Sequence, residues 1–119
     1  MGAIHVTVKL SWPDAEKPYE ALFLVDTGAA DSIAPGKSLL EAGFKPVGKM
    51  SYELANGETE KYEFCGAMLE FMGESTFGRV ILGPVGTEPL LGVTALESVG
   101  IIVDPANKTL KRLPAIPLK

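Results

Sequence analysis

The sequence predicts a mostly β chain that folds into a partly closed barrel with one short C-terminal helix. Three observations carry this. Ile4, Val6, Val8 and Leu10 alternate with His5, Thr7 and Lys9, the period of a half-buried strand with His5 on its outer side. Asn56-Gly57 lies between two strand-like runs, 50–54 and 59–64, and both residues tolerate the positive φ of a tight hairpin turn. Thirteen Gly and nine Pro are more than a helical bundle accommodates and suit many short strands joined by turns. At 119 residues the chain is one domain, 1–119, with no linker or low-complexity segment dividing it.

The remaining elements follow in order. Residues 12–18, with Pro13 and Pro18, form a turn-rich connection, and Trp12 is expected to pack over the core. The run Ala21-Leu22-Phe23-Leu24-Val25 is short, apolar and continuous, which suits a strand buried on both faces. Ser38 to Ala42 is expected as a helical turn ended by Gly43. Residues 67–72 and 76–82 read as a further strand pair around Gly73-Glu74, and Glu58, Glu60, Lys61 and Glu63 as a solvated hairpin face. Thr94 and Glu97 have the spacing of a capping box, so a helix is expected from Thr94 to Gly100. Ile101-Ile102-Val103 and residues 109–113 are the last strands, joined by a turn at 104–107.

Composition excludes several functional classes. A single cysteine, Cys65, permits no intramolecular disulfide, so the chain is not a disulfide scaffold. One cysteine and one histidine do not make a Cys/His zinc site, and neither metal nor organic cofactor is expected. Cys65, flanked by Phe64 and Gly66, reads as a small core residue rather than a nucleophile, since only His5 is available to activate it. The formal charge is −4, which argues against nucleic acid as a partner. No run approaches the roughly 18 apolar residues of a membrane span, and the first residues lack a signal-peptide pattern, so the expected address is the cytoplasm.

Asp26 is the residue that invites chemistry. It follows five apolar residues directly, at the mouth of the core, where an unpaired carboxylate is costly. Thr27 adds a stiff hydroxyl, and Gly28 removes a side chain where a ligand's backbone would approach. Asp and Gly are also ordinary turn residues, and an Asp-Thr-Gly tripeptide arises by chance in roughly a few per cent of chains this long. The wider pattern is more specific: an apolar strand before it, Ala29 and Ser32 after it, and a distant Leu90-Leu91-Gly92 that leads into a helix. Asp31 reads as a turn charge, with the wall of a specificity pocket as its alternative role.

On Leu24-Val25-Asp26-Thr27-Gly28-Ala29, Leu90-Leu91-Gly92-Val93-Thr94-Ala95-Leu96, Val80-Ile81-Leu82-Gly83-Pro84 and Ala55-Asn56-Gly57, the chain resembles the retropepsins, single-domain aspartic proteases of retroviral type. The resemblance extends over about residues 3–113. It implies a homodimer with a peptide or protein substrate, in which each chain supplies one aspartate, here Asp26, to a shared dyad. Two such carboxyls share a proton; one activates water and the other donates to the scissile carbonyl. Thr27 would bond across the twofold axis, and Gly28 and Ala29 would meet substrate backbone. Ala55, Asn56 and Gly57 would form a flap tip, and Leu91 and Gly92 the second half of the loop pair. The implied activity is that of a hydrolase cutting peptide bonds.

The chain departs from the family at three places. Ala30 and Val93 stand where many viral members carry a paired Asp and Arg, so neither charge is left alone. The hairpin tip 54–59 has fewer glycines than the viral flap. Pro114 and Pro117 in the tail oppose a central strand, so the intersubunit sheet that viral members build from their termini is expected to be altered or absent. Two other readings stay open: a catalytically silent peptide-binding or dimerisation module on the same fold, and an unrelated β-barrel in which Asp26 is a turn residue.

Overall fold

A computed structural model describes residues 3–116; Pro117 and the two residues after it, part of the tail discussed above, lie outside the described residues. Strand β1 (His5–Ser11) turns its alternating pattern into two faces, with Val8 and Leu10 fully buried and His5 and Thr7 exposed. It pairs antiparallel with β2 (Tyr19–Asp26). The apolar run in β2 is not buried on both faces: Phe23 is fully buried, but Leu22 is 59 % exposed. The reason is that β2 is the wall of a barrel, with one face to the core and one outward.

After β2 come β3 (Ser32–Pro35) and helix α1 (Gly36–Ala42), then β4 (Gly48–Glu53), β5 (Thr59–Phe71) and β6 (Glu74–Gly83). The runs expected as separate strands before and after Cys65 are one 13-residue strand, β5. It returns into β6 through Met72-Gly73, both with positive φ (54° and 77°), the backbone of a tight hairpin whose twist matches its strands. Last come β7 (Leu90–Gly92), α2 (Val93–Ser98), β8 (Ile101–Asp104) and β9 (Thr109–Arg112).

The fold is mostly β, 52 % strand against 11 % helix, with a closed six-stranded barrel. The order round the barrel is β1-β2-β7-β3-β6-β5, and Lys9, Leu10 and Ser11 of β1 close it against Glu70, Leu69 and Met68 of β5. Closure removes the open edges that a partly closed barrel would keep. β4 pairs outside the barrel on the first half of β5, and β8 and β9 form a separate two-stranded sheet.

There are two short helices, not one. The expected helical turn is a full helix, α1, stopped by Gly43 (φ 101°), whose amide donates to Leu40 O at 3.0 Å. Helix α2 begins at Val93 with Gly92 as N-cap and has no side-chain cap, so Thr94 is inside the helix and the capping box does not form. Gly100 (φ 72°) follows its end as expected. Phe23, Phe44, Leu10, Leu69, Leu91 and Leu96 fill the core, with Cys65 among them. Trp12 packs against this core and stacks on Phe77 at 5.1 Å between ring centres. Among the described residues no helix is long and apolar enough to cross a membrane.

Candidate active site

Asp26 is the last residue of β2, and the neighbouring strand decides where it points. β7 lies between β2 and β3, parallel to the first and antiparallel to the second. In register, Asp26 faces Gly92, and Ile33 faces Leu90. The segment 27–31 must therefore arch over the end of β7 to reach β3.

Three hydrogen bonds pin that arch. The first two amides of α2, unsatisfied by their own helix, donate outward: Val93 N–H to Ala29 O at 2.8 Å and Thr94 N–H to Ala30 O at 3.2 Å. These bonds do for the helix start what the absent side-chain cap would have done. The buried Gly92 N–H donates to Ser32 Oγ at 3.0 Å, and Ser32 is itself buried. Gly92 fits because it has no side chain. A Cβ there would lie 2.6 Å from Asp31 C and 2.7 Å from the carbonyl oxygens of Ala30 and Asp31.

The carboxylate of Asp26 is half-buried and aimed by its own turn. The Gly28 N–H donates to Asp26 Oδ1 at 2.9 Å, and the Ala29 N–H donates to the Asp26 carbonyl at 3.2 Å. Gly28 thus orients the carboxylate through its backbone. Above lies a cleft of about 520 Å3 whose walls include Ile33, Ile81 and Leu90, with Asp26, Gly28 and Ala29 at its base.

The roof is the β4–β5 hairpin. Its tip is closed by Leu54 N–H to Glu58 O at 2.7 Å, Gly57 N–H to Leu54 O at 2.9 Å and Glu58 N–H to Asn56 Oδ1 at 2.9 Å. Gly57 takes φ 89°, which is why a glycine stands there. Leu54 and Ala55 line the cleft, whereas Asn56 and Gly57 sit at the exposed tip and are not among its lining residues. Leu91 is fully buried in the core, and Leu90 presents to the cleft instead. Thr27 is exposed and faces a second groove of about 350 Å3, with Val93, Ile102 and Pro105 among its lining residues.

Asp31 is not a solvated turn charge. Its side chain is 17 % exposed and lines the cleft. Its Oδ2 accepts the Tyr52 hydroxyl at 2.7 Å and lies 3.7 Å from Arg79 Nη1. Burial, and next the bond to Asp31, push the Tyr52 phenol above its usual range. The Arg79 guanidinium lies over the Phe64 ring at 4.5 Å. Ala30 and Val93 are both neutral, and the ion pair of this region is made one residue later, with an arginine from β6. Tyr52 and Arg79 escape a sequence reading. The one available signal is the alternation of β4, which puts Met50 and Tyr52 on one face; the approach of Arg79 requires the β5–β6 register.

His5 lies 3.6 Å from Glu88 at an exposed position. Among the described residues, no group of three or more His, Cys, Asp or Glu is placed to hold a metal ion. Cys65 is buried in the core, and burial pushes its thiol up to about 11, so it remains protonated. No protein-family model matches the chain, and no curated protein matches it.

Proposed function

We propose that the chain is a retropepsin-type aspartic endopeptidase, active as a homodimer, with Asp26 of each subunit in a shared dyad. The observation that carries this reading is the placement of Asp26: a half-buried carboxylate, oriented by Gly28 N–H, at the base of an apolar cleft under a hairpin. Asp31, the other half-buried carboxylate there, is taken up by Tyr52 and Arg79. One chain therefore offers half of a two-carboxylate site, and a second chain supplies the other half.

In that assembly the two Asp26 carboxyls cannot both ionise at close range, so they share a proton and titrate as a pair. The ionised carboxyl takes a proton from water as the water attacks the scissile carbonyl, and the protonated carboxyl donates to its oxygen. The resulting diol then collapses, the newly ionised carboxyl taking a hydroxyl proton and the newly protonated one donating to the leaving nitrogen as the C–N bond breaks. The pinned arch 27–31 keeps each carboxylate in place without rearrangement during the reaction. The apolar walls favour extended peptides with apolar side chains beside the scissile bond.

A catalytically silent module is the second reading, and one observation favours it. Strand β9 is paired with β8, and Leu113 N–H donates to Gly100 O at 2.8 Å, so this stretch is engaged within its own chain rather than offered to a partner. The test is cleavage of a peptide library by the wild type and by Asp26→Asn, with sedimentation of both. Cleavage by a dimer, abolished in a variant that still dimerises, supports the peptidase. Cleavage that persists in Asp26→Asn, or a wild type that stays monomeric and inert at about 50 μM, rejects it.

A further inference from the structure

We propose that Tyr52 and Arg79 are positioning residues that latch the β4–β5 hairpin onto the cleft floor through Asp31. For its effect on turnover this rests on the peptidase reading; the latch itself does not. The two halves of the latch differ in rigidity. Asp31 is the last residue of the arch that the α2 amides and Ser32 pin to the barrel. The hairpin, by contrast, projects from the barrel: β4 is an edge strand that pairs only with β5, and residues 55–58 at its tip are exposed. Such an element is free to move about its root unless a side chain ties it down.

Tyr52 is that tie. It lies near the end of β4, opposite Glu60, and its hydroxyl reaches across the cleft to Asp31 Oδ2 at 2.7 Å. Arg79 approaches the same oxygen at 3.7 Å from the barrel wall and is held over Phe64. A phenol from the moving part and a guanidinium from the fixed part thus converge on one carboxylate oxygen. The guanidinium holds Asp31 in place, and a carboxylate accepts the phenol more strongly than a neutral oxygen would. The phenol–carboxylate bond exists only while the hairpin lies over the cleft, so it sets the balance between covered and open cleft.

Tyr62 provides the internal comparison. Its hydroxyl bonds Glu60 on its own strand at 2.9 Å, inside the hairpin, and spans nothing. The experiment places spin labels on Glu58→Cys at the exposed tip, which keeps the Asn56 side chain that closes it, and on Glu20→Cys on the barrel, with Cys65 left buried and unlabelled. Interspin distances are then measured in this parent, in Tyr52→Phe and in Tyr62→Phe. Loss of one charge-assisted hydrogen bond at a half-exposed site is expected to raise the open population about 3- to 10-fold in Tyr52→Phe. Tyr62→Phe is expected to match the parent. Asp31→Asn keeps an acceptor oxygen but loses the attraction of Arg79, so it is expected to lie between parent and Tyr52→Phe.

In a peptidase assay the latch predicts a higher KM for Tyr52→Phe with kcat changed less. A distance distribution in Tyr52→Phe that superimposes on the parent's overturns the latch, whatever the activity. A kcat loss at unchanged KM overturns the latch's role in substrate binding, while the distance measurement alone decides whether the latch exists. If the hairpin opens in Tyr52→Phe but no variant cleaves peptide, the latch stands and the peptidase reading falls.

Discussion

Gly92→Ala tests the construction of the site most directly. The backbone at Gly92 has φ −82° and ψ 166°, which any residue adopts, so the substitution carries no conformational penalty. Its cost is steric. The new Cβ would meet Asp31 C at 2.6 Å and the oxygens of Ala30 and Asp31 at 2.7 Å, all main-chain atoms that cannot rotate away. Relief requires moving the arch off β7, which stretches the Val93–Ala29 and Thr94–Ala30 hydrogen bonds, now 2.8 and 3.2 Å. Overpacking of this kind costs about 2–3 kcal/mol. For a chain of this size that corresponds to a melting temperature lower by ~10 °C.

Urea unfolding and exchange of the Val93 and Thr94 amides measure the two effects separately. Gly78→Ala is the control, because its Cβ would meet only Leu69 Cδ1, at an ordinary 3.7 Å. It should be neutral or stabilise by roughly 0.5 kcal/mol, the usual gain over glycine in a strand. A Gly92→Ala protein within about 0.5 kcal/mol of wild type, with unchanged exchange at Val93 and Thr94, would refute the pinned arch.

Three further outcomes follow from the same geometry. Ser32→Ala leaves the buried Gly92 N–H without its 3.0 Å acceptor and should cost about 1–3 kcal/mol in chemical denaturation, while Ser32→Thr, which keeps the hydroxyl, should cost less. Cys65, with its thiol raised to about 11 by burial, should resist thiol reagents in the folded protein at about pH 8 and react fully once unfolded; rapid reaction in the native state contradicts its burial. Asp104 is held below its usual 3.8, first by the Asn107 side chain and then by the Asn107 and Ala106 amides. A lowered folded value means that its support of the β8–β9 turn is complete above 3.8 and is lost as pH falls through that lower value. Carboxyl NMR should therefore give a midpoint below 3.8 that rises towards it in Asn107→Ala; a wild-type midpoint at or above 3.8 would contradict the bonds.

Local chemistry explains why some elements were legible without a structure. The alternation of β1, a hairpin turn at Asn56-Gly57 and the helix-ending Gly43 and Gly100 each depend on a few neighbouring residues, and each appears, although at the turn only Gly57 and not Asn56 takes a positive φ. The candidate carboxylate was legible for the same reason, since Asp26 stands out against the five apolar residues before it. Errors arose where distant segments decide. Ala21 to Val25 is apolar throughout, yet Leu22 faces outward because β2 is a barrel wall. Thr94 and Glu97 have capping-box spacing, yet α2 starts at Val93 because its free amides have the carbonyls of Ala29 and Ala30 to bond, more than 60 residues earlier in the chain.

The amino-acid sequence alone determined the β class and pointed to the one residue from which chemistry was to be sought. Only the tertiary structure decided that the barrel closes, that Gly92 and Ser32 hold the arch beside Asp26, and that Asp31 is bound by Tyr52 and Arg79. The division has a physical cause. Strand periods and turns are set by steric preferences of adjacent residues, which a sequence displays in order. Barrel closure and a side-chain latch are set by which strands hydrogen-bond, and β1 meets β5 and Asp31 meets Arg79 only after the chain between them has folded.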